Sequence, residues 1–76
     1  MADDVTMADD DYQTGWIAAL FDRGYGFVEQ DGTRRRLFVH AREAPEFESF
    51  IVGTRVRFLP TETERGPRAV DVQRLA

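Results

Sequence analysis

The sequence predicts an all-β protein: five short strands, paired antiparallel and curled into a small barrel. Three observations carry that prediction. Beyond residue 12, apolar side chains come in short runs, several with a period of two, broken by turn-forming residues. No segment holds a helical period, and Ala41–Ala44 has room for one helical turn at most. The chain has 76 residues and no cysteine, so it must close one small core without a disulfide scaffold. Five antiparallel strands of this size leave exposed edges, and curling into a barrel removes most of them.

The strands follow in order. Gly15–Phe21 is apolar through Trp16, Ile17, Leu20 and Phe21, and Asp22-Arg23-Gly24 interrupts it. Tyr25–Gln30 is the second strand, and Asp31-Gly32 after it is a tight-turn signal. Arg35–His40 alternates, with Leu37 and Val39 on one face and Phe38 and His40 on the other. Ala41–Val52 is a longer connection marked by Pro45 and holding Phe47 and Phe50. Gly53–Leu59 alternates again, Val56 and Phe58 inward, Arg55 and Arg57 outward. Thr61–Pro67 reads as a polar loop, and Ala69–Leu75 as a last strand with Val70 and Val72 on one side. The inward set is Ile17, Val28, Leu37, Val39, Val56, Phe58, Val70 and Val72. The strand count fits a five-stranded OB-type barrel.

Charge divides the chain. There are ten Arg, no Lys and fourteen acids, a net charge of −4. Asp3, Asp4, Asp9, Asp10 and Asp11 all fall in Met1–Asp11, where there is no Arg, so residues 12–76 carry +1. Met1–Asp11 has too little apolar surface to offset its ordering entropy and is expected to be disordered, leaving residues 12–76 as the domain. This acidic segment is a solubility tail or an electrostatic competitor for a basic face. Three adjacent Asp without a Gly turn or a distal Glu do not make a calcium loop, so no metal is expected. An acidic N-terminus is the opposite of a secretory or mitochondrial leader, and no apolar run approaches a membrane span. The expected location is cytoplasmic, the expected state a monomer.

The outward face of strands two and three is unusual. With Val28 inward, Tyr25 and Phe27 point out, and Phe38 and His40 join them from strand three. Arg23 lies beside them, and Arg34-Arg35-Arg36 is close in sequence. An exposed large side chain forgoes about 1.5–3 kcal/mol of burial, so a cluster of exposed rings needs an explanation: a ligand, or packing of Tyr25, Phe27 and Phe38 under the Ala41–Val52 connection as a second small core. Rings flanked by guanidinium groups suit single-stranded nucleic acid: bases stack on the rings and arginines follow the phosphates. Gly24 and Gly26 alternate with the rings, and close approach of another group accounts for them. A protein partner is the competing use of such a face. Arg34-Arg35-Arg36 is either a solvated loop or a phosphate patch, and Arg55 and Arg57 are expected to pair with Glu62 and Glu64. His40 is the only His. With no nucleophile–base–orienter set, an enzyme is not expected, nor a cofactor or a small-molecule substrate.

These residues resemble a known family. Arg23-Gly24-Tyr25-Gly26-Phe27-Val28 looks like the first ribonucleoprotein motif and Leu37-Phe38-Val39-His40 like the second, in the order used by cold-shock domains. Arg65-Gly66-Pro67-Arg68-Ala69-Val70-Asp71-Val72 resembles that family's closing strand, and Thr14-Gly15 fits its opening. The resemblance spans roughly Thr14 to Leu75. It implies a five-stranded OB-type barrel that binds single-stranded RNA or DNA without enzymatic activity and acts as an RNA chaperone or a transcription or translation regulator. It carries the family's binding roles onto Arg23, Tyr25, Phe27, Phe38 and His40, and onto Phe47 as the loop aromatic.

Two departures stand out. The family's first strand usually carries a Trp-Phe pair, whereas this chain reads Ile17-Ala18-Ala19-Leu20-Phe21 and is one residue shorter before Gly24. The second motif normally ends in another Phe, and here Ala41 follows His40. Two stacking platforms are thus absent, at about 1–3 kcal/mol each. Trp16 or Phe21 replaces one only if the first strand is shifted or bulged, because a one-residue slip exchanges the faces. The departures also leave room for a degenerate domain that uses the face for a protein partner.

Overall fold

β-branched and aromatic residues at alternate positions build five strands: Gln13–Phe21 (β1), Tyr25–Gln30 (β2), Arg36–His40 (β3), Arg55–Thr63 (β4) and Gly66–Arg74 (β5). They close a barrel in the order β1-β2-β3-β5-β4. The computed structural model describes residues 11–75. The segment expected to be disordered, Met1–Asp11, lies outside the described residues except for Asp11.

Four of the five pairings are antiparallel, and β3–β5 is parallel through the pair Phe38–Arg68. The all-antiparallel expectation is corrected at that one joint. Between β3 and β4 the chain makes two short 3-10 turns, Ala41–Glu43 and Phe47–Ser49. The first is the single helical turn foreseen there.

The core holds Ile17, Val28, Leu37, Val39, Val56, Phe58, Ala69 and Val72, with Ala44 and Phe50 sealing it from the β3–β4 connection. Val70 was expected inside, but it is only partly buried and Ala69 takes its place. Asp71 sits at φ 49, which breaks the alternation, so Ala69 and Val72, three apart, both point inward. Two turns also differ from expectation. Asp31-Gly32 is not a two-residue hairpin turn. The connection runs from Asp31 to Arg35, with Gly32 at φ 80 and Arg34 at φ 61. Thr61–Pro67 is not a loop, because β4 continues to Thr63 and β5 begins at Gly66, leaving Glu64-Arg65 as the turn.

Asp31 fastens that region. Its carboxylate accepts from Thr14 Oγ1 at 2.7 Å on β1 and from both terminal nitrogens of Arg55 at 2.8 and 2.7 Å on β4. On another side, the Tyr12 hydroxyl donates to Asp71 and the Arg57 guanidinium lies 3.8 Å above the Tyr12 ring. That hydrogen bond pushes the Tyr12 hydroxyl up and holds the Asp71 carboxyl below the ordinary range. Arg55 and Arg57 therefore engage Asp31 and Tyr12 rather than the expected Glu62 and Glu64.

Candidate nucleic-acid interface

The β2–β3 register sets the site. Tyr25 stands opposite His40, and Phe27 opposite Phe38, while Gly26 and Val39 face inward between them. The four side chains placed on one outer face by sequence are thus neighbours on paired strands. Gly26 has a different reason from the one expected. A Cβ there would meet the Ala19 carbonyl oxygen at 2.4 Å, so the close approach is that of β1's own backbone.

A bulge completes the face. Ile17 pairs with Val28 and Ala19 with Phe27, so Ala18 is an extra residue in β1. It shifts the alternation and brings Ala19 and Phe21 onto the side of Phe27 and Tyr25. Phe21 stays 43 % exposed and stacks on Tyr25, with ring centroids 4.8 Å apart and planes 19° apart. Tyr25 stacks in turn on Phe38 at 5.6 Å and 24°. Phe27 meets Phe21 and Phe38 edge-on at 6.3 and 5.9 Å. Phe21, Tyr25, Phe38 and Phe27 form a closed circuit of four rings, each touching two others. Such pairs contribute about 0.5–1.5 kcal/mol each beyond their burial, which fixes the rings and leaves Tyr25, Phe27 and Phe38 half-buried.

Phe21 is the residue that strand alternation alone misplaces. A shifted or bulged first strand is the condition for Phe21 to join the face, and the pairing around Ala18 meets it: the position of the extra residue is a matter of backbone pairing. Trp16 takes no part in the circuit and sits across from Glu29 and Arg55. Phe47 is also outside it. Its ring packs on Phe50 at 6.0 Å, and with Phe21, Leu20, Gly24 and Ala41 it lines a shallow groove at the end of the face. His40 Nδ1 accepts the Arg42 backbone N–H at 3.1 Å, which caps the first 3-10 turn. The ring is thereby oriented, and Nε2 is the nitrogen left for a ligand.

Arg35 pairs with Glu62, Arg36 with Glu29 at 3.3 Å and Arg55 with Asp31. Arg23 projects from the β1–β2 turn, Arg65 from the β4–β5 turn, and Arg68 lies over Phe38 with its guanidinium carbon 5.3 Å from the ring centroid. Among the described residues these three pair with no carboxylate. No group of three or more His, Cys, Asp or Glu able to hold a metal is present among the described residues, and no helix there is long and apolar enough to cross a membrane.

Among the described residues the closed barrel has an apolar core without buried polar or charged side chains and carries a packed aromatic circuit on its outer face. Residues 13–75 match the family described as the 'Cold-shock' DNA-binding domain. A cold shock-like protein of Aquifex aeolicus is 36% identical over 54 residues, which is 68% of this chain and 77% of that protein. Among solved structures, Drosophila Unr CSD456 superposes with a TM-score of 0.72 at 26% identity, over 86% of this chain. The chain corresponds to 27% of that longer structure. The chain belongs to the cold-shock domain family, whose members bind nucleic acids.

Proposed function

We propose that this protein binds single-stranded RNA or DNA by stacking bases on its aromatic face and that it works as an RNA chaperone or as a regulator of transcription or translation. The observation that carries this reading is the circuit of Phe21, Tyr25, Phe27 and Phe38 on one outer face of the barrel, with Phe21 exposed and the other three rings half-buried. Each exposed π-face takes a base whatever its identity, so sequence preference from stacking alone is low. Arg23 and His40 lie at the margins as donors to phosphate or base. Phe47 extends the face past Phe21. The protein acts without catalysis or cofactor, as a monomer in the cytoplasm.

The electrostatic contribution is small. Arg35 and Arg36, at the start of β3, are engaged by Glu62 and Glu29. Those ion pairs compete with phosphate for the guanidinium groups. The salt dependence of binding is therefore shallow, a slope of about −0.7 per phosphate neutralised on a single strand.

The test is a titration of the full chain with a short pyrimidine-rich DNA strand, followed by amide NMR at two salt concentrations. Shifts are expected to concentrate on Phe21, Tyr25, Phe27, Phe38 and His40. Absence of binding at hundreds of micromolar in low salt would sink the reading. It would favour a second use of the face, a protein-interaction surface, to which the mutual packing of the rings and the paired arginines are equally suited.

A further inference from the structure

The connection between β2 and β3 sets an aspartate directly before a glycine, Asp31-Gly32. Glycine carries no side chain to shield its amide nitrogen, so that nitrogen can reach the carboxyl carbon of the residue before it. The surroundings do not hinder the approach. A Cβ at Gly32 would meet nothing within 4 Å, and among the described residues the Gly32 N–H donates to no acceptor. The carboxyl group, by contrast, is held. Thr14 Oγ1 donates to Oδ2 at 2.7 Å, Arg55 Nη1 to Oδ1 at 2.8 Å and Arg55 Nη2 to Oδ2 at 2.7 Å. These donors stand on β1 and β4, and the Asp31 N–H is itself fixed on the Thr14 carbonyl at 3.0 Å. The same hydrogen bonds keep the group ionised, with its carboxyl held down at about 2. A carboxylate is a poorer electrophile than the free acid.

We propose that Asp31-Gly32 is a latent isoaspartate site, held in check by Thr14 and Arg55. In the reaction the Gly32 nitrogen bonds to Asp31 Cγ. The hydroxyl of the protonated carboxyl leaves with the amide proton as water, and a cyclic imide results. Water then reopens the imide. Opening at Cγ restores Asp31, and opening at the backbone carbonyl leaves the main chain running through Cβ and Cγ. The sum is an isomerisation, and water is the only co-reactant. The attack requires Cγ to swing onto the Gly32 nitrogen, so the carboxyl must first leave its donors on β1 and β4. The product has one more methylene in its backbone and a carboxylate with one carbon less of reach, so the grip on Thr14 and Arg55 is not remade. Isomerisation thus marks permanently those chains that have opened at this corner of the barrel. The proposal does not depend on the nucleic-acid reading.

The experiment incubates the full chain for weeks at neutral pH and physiological temperature, then digests it with trypsin. The fragment Gly24–Arg34 holds Asp31 as its only Asp. Isomerisation shifts its chromatographic retention at unchanged mass and makes it resistant to a protease that cleaves before Asp. Wild type is expected to accumulate the isomer slowly, and the chain unfolded in guanidinium chloride much faster. Arg55→Ala and Thr14→Ala are each expected to speed native accumulation about two- to fivefold, the factor that an exposed ion pair or hydrogen bond contributes to an equilibrium. Ile17→Val, which loosens the core without touching Asp31 or its donors, is expected to leave the native rate unchanged. Either donor variant no faster than wild type, Ile17→Val as fast as Arg55→Ala, wild type as fast as the unfolded chain, or no isomer even in the unfolded chain would each overturn the proposal.

Discussion

The ring of Phe21 lies on the ring of Tyr25, centroids 4.8 Å apart and planes 19° apart. A residue at the end of β1 thereby extends a platform that belongs to β2 and β3. The family resemblance leaves a gap in the first strand where a stacking residue is usual, and Phe21 occupies the same face from another position. Phe21→Ala is expected to weaken single-stranded DNA binding by roughly one stacked base, about 5- to 150-fold. Trp16→Leu, outside the circuit, is expected to change affinity less than twofold. Anisotropy titrations of the two variants check this, with thermal unfolding to show that both remain folded. Equal losses for the two would argue that general barrel stability, not stacking, sets the affinity.

Asp31 carries a pH dependence. Hydrogen bonds from Arg55 and then from Thr14 hold its carboxyl down at about 2, against 3.8 for an ordinary Asp. A folded value below the unfolded one means that the contribution is complete above about pH 4 and is lost as pH falls toward 2. The pair is largely exposed, so the effect is modest. The stability difference between wild type and Asp31→Asn is expected to be constant above pH 5 and to shrink between pH 4 and 2. Urea midpoints across that range give the answer, and a difference that stays constant down to pH 2 would remove Asp31 as its source.

Gly26 tests the packing beneath the rings. A Cβ at this position would stand 2.4 Å from the Ala19 carbonyl oxygen, a backbone atom that cannot swing aside. Gly26→Ala is expected to cost about 1–3 kcal/mol or more in chemical denaturation, as overpacking does elsewhere. It is also expected to shift the amide resonances of Ala19 and Leu20 on β1. Unchanged stability would mean that β1 has freedom to move away from β2 at the bulge.

The segregated charge predicts a salt-dependent effect. Removing residues 1–11 takes away five Asp and changes the net charge from −4 to +1. The shortened protein is expected to bind a single strand more tightly at low ionic strength and equally near 1 M salt, where screening acts within about 3 Å. Equal affinity at low salt would exclude the segment from competition with the ligand.

Much of this architecture was legible in the residues, and the exceptions have physical reasons. Period-two alternation located Tyr25–Gln30 to the residue and placed Phe27 and Phe38 on a common face, because side chains on a strand cannot do otherwise. Val70 was misplaced because one residue at positive φ, Asp71, resets the alternation, and no local pattern marks it. Phe21 was ambiguous because a bulge is a property of two strands in register, not of one. The partners of Arg55 and Arg57 were missed because Asp31 and Tyr12 are remote in sequence and adjacent only after the barrel closes.

That parallel joint has one more consequence. Every other seam of the cylinder is an antiparallel ladder of several residues, whereas β3 and β5 meet through Phe38 and Arg68. Phe38 also belongs to the face proposed to bind nucleic acid, so a strand resting on it would bear directly on this seam. Occupancy and closure would then form a single linked equilibrium. Ligand at one hundred times its dissociation constant would add ~2.7 kcal/mol to the stability of the whole barrel. A mutation that loosens the seam would register first as lost affinity. The barrel would in this way report, through its melting temperature, whether it is carrying cargo.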